Sequence, residues 1–150
     1  MNKKLYYSYD DCINDCKVLL PEIKHYKPDA IVAIARGGMI LTQLISEAIN
    51  LRDIYTINCI SYNETKKFQK VEIFNIPDII NKKRILIVDD IIDSGDTLTE
   101  VLKVLEEKYP RITFFTASIF YKQSACIEPN WWVKEPKGWI EFFWSEDLKD

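Results

Sequence analysis

Apolar runs alternate with amphipathic segments along the chain, and this alternation predicts the order of its elements. The runs 29–35, 54–60 and 85–88 are rich in β-branched residues and are typical of strands buried on both faces of a sheet. Apolar residues spaced by three and four over 39–50 and 97–108 predict amphipathic helices. Strands that alternate with helices indicate an α/β domain with a mainly parallel twisted sheet flanked by helices.

The two ends of the chain carry weaker patterns. Ser8-Tyr9-Asp10-Asp11 resembles a capping box and predicts a helix that Pro21 ends. The β-rich run 112–121 is interpreted as a central or next-to-central strand. Prolines and all four tryptophans follow it. We therefore expect one domain, with a core at about 9–122 and a small C-terminal aromatic hood at about 123–150, in which Trp131 and Trp132 serve packing or an interface.

Composition narrows the class of protein. The chain has 150 residues, 47% of them hydrophobic and 29% charged, as in an ordinary globular domain. A net charge of −3 argues against a nucleic-acid partner that is bound through a basic excess. Apolar runs of membrane-span or signal-peptide length are missing, so we expect a cytoplasmic protein without integral membrane association. Four cysteines and one histidine lack zinc-site pairing and are interpreted as structural thiols.

A short glycine loop precedes the helix that is predicted over 97–108. Its residues can present backbone N–H groups and two hydroxyls to a phosphate at the positive end of that helix. Gly95 would let the backbone bend around the anion. The sequence therefore predicts a phosphate site formed by Asp93, Ser94, Gly95, Asp96 and Thr97.

Three carboxylates accompany this loop. Asp89 and Asp90 are expected where the buried strand ends, and carboxylates accept hydrogen bonds from the vicinal hydroxyls of a ribose. Asp93 is close enough in sequence to act as an acid or base. A Walker A loop is excluded by the order of glycines. A receiver domain would carry its acidic pair near the domain start and an aspartate after a later strand, whereas the run 112–121 is followed by Lys122.

The stretch Leu86–Thr97 resembles the PRPP-binding signature of type I phosphoribosyltransferases. The similarity extends to the small bacterial xanthine-guanine enzymes and the wider 6-oxopurine group. It continues through Ala35-Arg36-Gly37-Gly38, Ser61-Tyr62, Ile119–Lys122 and Trp139–Glu141 with Trp144. The resemblance implies the type I fold and a purine salvage reaction. In that reaction, 5-phosphoribosyl passes from PRPP to guanine, xanthine or hypoxanthine, and pyrophosphate is released.

The resemblance also implies roles for the phosphoribosyl-binding residues. Arg36 and Gly37 would form the pyrophosphate loop, where the family often has a cis peptide bond. Asp89 and Asp90 would serve the ribose hydroxyls, and residues 93–97 would hold the 5′-phosphate. Mg²⁺ would bridge pyrophosphate and ribose, with Asp90 as a protein contact and most ligands from substrate and water.

The base would be recognised by residues from three further segments. By resemblance, Asp93 handles the N7 proton, Lys122 binds the 6-oxo group, Trp139 stacks on the ring and the Ile140 carbonyl meets the 2-position edge. Ser61 and Tyr62 would belong to a mobile loop that closes over the reaction. Relatives are commonly dimers or tetramers, so a homodimer or homotetramer is expected.

Three departures from the family pattern stand out. Asp96 occupies a position that is usually non-acidic, Phe142-Phe143 replace a polar residue and proline, and the 63–74 segment is dissimilar and short. Two alternatives stay open: a PRPP-sensing protein without turnover, and transfer to another base. The intact Asp93, Lys122 and Trp139 favour a 6-oxopurine enzyme.

Overall fold

The computed structural model describes residues 3–65 and 68–150 and has the α/β architecture that the sequence predicts. Its elements in chain order are β1 (Lys4–Tyr7), α1 (Tyr9–Tyr26), β2 (Ala30–Ala35), α2 (Met39–Ile49), β3 (Ile54–Thr65), β4 (Phe68–Phe74), β5 (Arg84–Ile92), α3 (Asp96–Lys108), β6 (Thr113–Tyr121), β7 (Trp139–Phe142) and α4 (Phe143–Glu146).

A five-stranded sheet with the order β4-β3-β2-β5-β6 forms the centre of the molecule. The pairs β2–β3, β2–β5 and β5–β6 are parallel, and β3–β4 is an antiparallel hairpin. The prediction of a mainly parallel sheet is confirmed. Helices α1 and α2 pack on one face through residues such as Leu86 and Val88, and α3 packs on the other through Ile85 and Ile87.

The placement of 112–121 at or beside the centre of the sheet is wrong, because β6 is an edge strand. Its outer edge is covered by the chain that follows. The Ser118 amide donates to the Trp131 carbonyl at 3.1 Å, and the Tyr121 amide donates to the Lys134 carbonyl at 3.0 Å. A covered edge is as buried as an interior strand, so both have the same apolar composition.

The prediction that Pro21 ends the first helix is also wrong, because α1 continues to Tyr26. Pro21 and Lys17 are exposed, so the Lys17 carbonyl that proline leaves without a helical partner can be hydrated. Tertiary contacts hold the last turn. The Tyr26 hydroxyl donates to the Thr113 carbonyl at 3.0 Å, and its ring stacks on Phe115 at 4.3 Å.

Strand β5 extends beyond its expected end, so Asp89 and Asp90 lie within it. Its pairing with β2 stops at Ala33–Val88, whereas its pairing with β6 continues to Ile92–Tyr121. Beyond Val88, β5 therefore stays paired with β6 but is no longer paired with β2, which leaves a crevice between β5 and the chain that follows β2. Because β2 leads to β3 in one direction and β5 to β6 in the other, this crevice is a topological switch point, where open α/β sheets bind ligands.

The hood segment joins the start of the chain. Strand β7 pairs in parallel with β1, from Lys4–Trp139 to Tyr7–Phe142. Trp131 packs on Phe115 with ring centroids 5.2 Å apart, as its packing interpretation expects. In the described ranges, no helix combines the length and apolar character needed to cross a bilayer.

Ser61 and Tyr62 lie in strand β3, opposite Val71 and Lys70, rather than in a loop. Cross-strand pairing with the β-branched and lysine-bearing segment 68–74 extends the strand past the predicted 54–60 run. Residues 66–67 lie outside the described residues.

Candidate active site

Three adjoining cavities, lined by described residues, lie along the carboxyl ends of β2, β5 and β6. The first holds about 690 Å³ and is named here the Trp139 cavity. The second, the loop pocket, holds about 130 Å³ and is lined by the glycine loop. The third, the Arg36 cavity, holds about 710 Å³ and lies at the switch point. Asp93 is shared by the first two cavities and Asp89 by the last two, so the three form one continuous site.

The loop pocket is lined by hydroxyls at the start of a helix and by two acidic residues, Asp89 and Asp93. Ser94, Gly95 and Thr97 line it directly before and within the first turn of α3. Gly95 has φ +88°, a left-handed conformation that glycine adopts without strain. Ser61 closes the opposite side, with its hydroxyl 3.2 Å from that of Thr97. Hydroxyls and the positive end of a helix dipole favour an anion here.

Asp96 does not bring its carboxylate into this pocket. Its backbone amide donates to the Ser94 hydroxyl at 3.2 Å. Its side chain instead lies 3.8 Å from the Cys126 thiol, which donates to it. The Asp96 carboxylate is therefore turned toward Cys126, and the assignment of Asp96 to the phosphate site stays a prediction.

The acidic pair faces the glycine turn across the Arg36 cavity. Arg36 and Gly37 line the same cavity as Asp89 and Asp90, and a cis peptide bond joins Ala35 to Arg36. A Cβ atom on Gly37 would lie 2.6 Å from the Asp90 carboxylate. The absence of a side chain at this position thus lets the turn after β2 approach β5 closely.

Burial governs the ionisation of the pair. Burial, and then the charge of Asp90, raise the pKa of Asp89 well above its usual range, and burial also raises the pKa of Asp90. Each carboxylate accepts one backbone hydrogen bond: Asp89 from the Asp90 amide at 2.9 Å, and Asp90 from the Ile91 amide at 2.7 Å. These bonds compensate only part of the desolvation, so the buried pair resists carrying two negative charges in the free protein.

Asp89→Asn should raise the stability of the free protein at neutral pH. A carboxyl with a raised folded-state pKa costs stability progressively as the pH rises from its unfolded value, about 3.9, through the folded value. Asparagine retains the acceptor oxygen and removes the charge. We expect a gain on the order of 1 kcal/mol, or about 3 °C in Tm, at pH 7.5, which disappears near pH 4.

Thermal melts at both pH values measure this effect. Glu106→Gln, which neutralises an exposed carboxylate on α3, is the matched control and should leave Tm unchanged. A lower Tm for Asp89→Asn at pH 7.5 would contradict the assignment of a destabilising buried charge.

Asp93 and Lys122 meet in the Trp139 cavity because their strands are in register. They follow Ile92 and Tyr121, which are paired between β5 and β6, and the Lys122 amide donates to the Ile92 carbonyl at 3.0 Å. The Lys122 Nζ atom lies 3.4 Å from Asp93 Oδ1. Both side chains are more than half exposed, so a ligand can reach an acceptor and a donor that stand side by side.

The hood supplies the remaining walls of this cavity. Trp139 is 67% exposed and lines it together with Ile140. Phe142 lines it from a buried position, stacked on Trp144 with centroids 4.6 Å apart. Phe143 packs edge-on against Tyr9 at 5.9 Å. Phe142 and Phe143, which depart from the family pattern, therefore anchor the hood to the N-terminal segment.

Sequence reasoning missed the contribution of the C-terminus. Ser145 and Lys149 line both the Trp139 cavity and the Arg36 cavity, and Glu146 lines the Trp139 cavity alone. Cys59, half-buried on β3, also lines the Arg36 cavity. The only signal in the sequence was a polar tail after the tryptophan cluster, which does not reveal the direction in which the tail folds.

Comparison with known proteins agrees with this geometry. The model of the phosphoribosyl transferase domain family matches residues 11–150. The xanthine-guanine phosphoribosyltransferase of Cereibacter sphaeroides is 31% identical over an alignment of 157 positions, which covers 98% of this chain and 90% of that protein.

Solved structures extend the likeness. The Helicobacter pylori xanthine-guanine-hypoxanthine phosphoribosyltransferase superimposes with a TM-score of 0.90 at 41% identity, covering 97% of this chain and 96% of that one. A purine phosphoribosyltransferase from Pyrococcus horikoshii gives a TM-score of 0.82 at 29% identity, with coverage of 97% and 95%. The chain belongs to the phosphoribosyl transferase family.

Proposed function

We propose that this protein is a purine salvage enzyme that transfers 5-phosphoribosyl from PRPP to a 6-oxopurine. The observation that carries the proposal is the Asp93–Lys122 pair, 3.4 Å apart, in a cavity walled by Trp139. The relatives described above are named for xanthine, guanine and hypoxanthine, which are all 6-oxopurines.

The pair matches the edge of a 6-oxopurine. Such a base presents its O6 acceptor beside N7. The Lys122 ammonium can donate to O6, and the Asp93 carboxylate can accept a proton from N7–H. Trp139 offers a ring face on which the base can stack. Adenine carries an amino donor at position 6 and would face Lys122 with the wrong polarity.

The phosphoribosyl group fits the other two cavities. The loop pocket would take the 5′-phosphate, and the Asp89–Asp90 pair would accept hydrogen bonds from the ribose hydroxyls. Arg36 and Gly37 would bind pyrophosphate. The paired carboxylates also fit Mg²⁺, which usually keeps few protein ligands and relies on substrate phosphates and water. When bound, the ion would neutralise charge on the leaving pyrophosphate.

The reaction forms a bond from purine N9 to ribose C1′ and breaks the bond from C1′ to pyrophosphate. Positive charge develops at C1′, close to the acidic pair, and the N7 proton passes to Asp93. Catalysis depends mainly on positioning and on fixed charges in a site from which water is excluded. The 61–74 hairpin is proposed to close over this site, and the active form to be a homodimer or homotetramer.

A pyrophosphate-release assay tests the proposal directly. Purified protein is supplied with PRPP and Mg²⁺ and with guanine, xanthine, hypoxanthine, adenine or uracil. We expect release with at least one 6-oxopurine, and rates at least about a hundredfold lower with adenine and uracil, because neither offers the Lys122 donor the O6 acceptor beside N7 of a 6-oxopurine. A chelator of divalent cations should abolish release.

Two outcomes would redirect the assignment. Release only with adenine or uracil would identify another base as substrate. Binding of PRPP without release from any base would indicate a sensor of the same fold.

A further inference from the structure

We propose that Lys149 is an additional binding residue for the pyrophosphate group of PRPP. The inference rests on the proposed function, since it assigns a residue within the same site. Lys149 lines both the Trp139 cavity and the Arg36 cavity, so this residue borders the base region and the switch-point crevice at once.

The acidic groups in the Arg36 cavity would repel a bound pyrophosphate, and a basic residue such as Lys149 would reduce that repulsion. The described lining of this cavity contains the carboxylates of Asp89 and Asp90, and Arg36 and Lys149 are its basic residues. Pyrophosphate carries several negative charges and would enter beside two acidic groups. A second cation in the same cavity as Arg36 would offset that repulsion and add charge-assisted hydrogen bonds.

Local contacts fix the position of Lys149. Its backbone amide donates to the Glu146 carbonyl at 3.0 Å, and its Nζ atom donates to Glu146 Oε1 at 2.7 Å. The Tyr6 hydroxyl donates to Asp147 Oδ1 at 2.7 Å and ties this turn to strand β1. The tail is therefore anchored beside the site, and in the free protein the Lys149 ammonium is paired with the Glu146 carboxylate.

The ion pair with Glu146 is suited to exchange. The Lys149 side chain is 65% exposed, and exposed pairs at this spacing contribute little to stability. Glu146 lines the Trp139 cavity but not the Arg36 cavity. A small rotation of the lysine away from Glu146 would turn it to the pyrophosphate, whose several charged oxygens offer a stronger partner.

Lys149→Met tests this assignment by removing the charge and keeping the length of the side chain. With Mg²⁺ present, we expect about a tenfold rise in the Kd of pyrophosphate by calorimetry and in the KM of PRPP, the scale of one lost charge-assisted hydrogen bond. The KM of the base should stay within about twofold. Lys149→Arg should restore most of the affinity.

The control is Lys103→Met, which removes an exposed lysine on α3 that lines none of the three cavities. It should leave both constants unchanged, and thermal melts confirm that each variant is folded. Unaltered pyrophosphate affinity in Lys149→Met would overturn the assignment, as would a rise confined to the KM of the base. If the wild-type protein releases no pyrophosphate with any base, the proposed reaction fails, whereas calorimetry with pyrophosphate still decides the role of Lys149.

Discussion

Asp93→Asn should lower kcat by about 10²- to 10⁴-fold, the usual contribution of a positioned acid or base. Asparagine has the same shape and retains an oxygen that can accept a hydrogen bond from N7–H, but it cannot take the proton. Asp93 lines both the loop pocket and the Trp139 cavity, so under the proposed function it would border both substrates where they react. Steady-state rates with saturating guanine and PRPP measure the loss.

Substrate binding separates this effect from general damage to the site. Asp93 is exposed and lines the loop pocket, but a carboxylate cannot donate a hydrogen bond to a phosphate, so the Kd of PRPP should change by no more than about twofold. Asp10→Asn, an exposed aspartate in the first turn of α1, is the charge-matched control. Unchanged turnover in Asp93→Asn would show that the N7 proton leaves to solvent and would remove the acid–base role.

The parts of the site that are contiguous in sequence were accessible to prediction. The buried strand, the acidic pair and the loop around Gly95 occupy a single stretch, and their local order already implies a phosphate beside a polyol. Parallel pairing adds the proximity of Asp93 to Lys122, because residues that follow register partners at the same edge must be neighbours.

Position within the sheet was less accessible. An edge strand covered by another segment buries the same side chains as a central one, so the apolar pattern of β6 could not distinguish them. Pro21 likewise disfavours helix locally, yet its exposure and the buried contacts of Tyr26 allow α1 to continue. In both cases tertiary contacts outweighed a local preference.

The contribution of the C-terminus to the site could not be predicted from the sequence and is evident only in the three-dimensional structure. Lys149 reaches the Arg36 cavity because β7 pairs with β1 and because the aromatic contacts of Trp144 with Tyr7 and Phe142 orient the last turn. These contacts join the two ends of the chain. The sequence of 143–150 has no periodicity that predicts these contacts, so this segment was interpreted only as a polar terminus.

Lys122→Ala should raise the KM of guanine and hypoxanthine by about ten- to a hundredfold while PRPP affinity changes little. The variant loses a charged donor to the 6-oxo group, and hydrogen bonds to charged groups contribute about 1.5–3 kcal/mol. Because Lys122 lines the Trp139 cavity and neither of the other two, the loss should fall on the base. Discrimination against adenine should weaken as well, because the unfavourable contact between two donors disappears.

Because Lys122 contacts Asp93, the effect of Lys122→Ala on the base must be separated from its effect on Asp93, which requires the double variant of both residues. Two exposed partners 3.4 Å apart contribute little to stability, so Lys122→Ala should leave Tm unaltered. If both side chains act on one edge of the base, Asp93→Asn combined with Lys122→Ala should lose less kcat/KM than the product of the single losses. Strict additivity would mean that they act on different atoms at different steps. Equal losses for PRPP and base in Lys122→Ala would place the lysine outside base recognition, and Trp139 would then be left as the main determinant of base affinity.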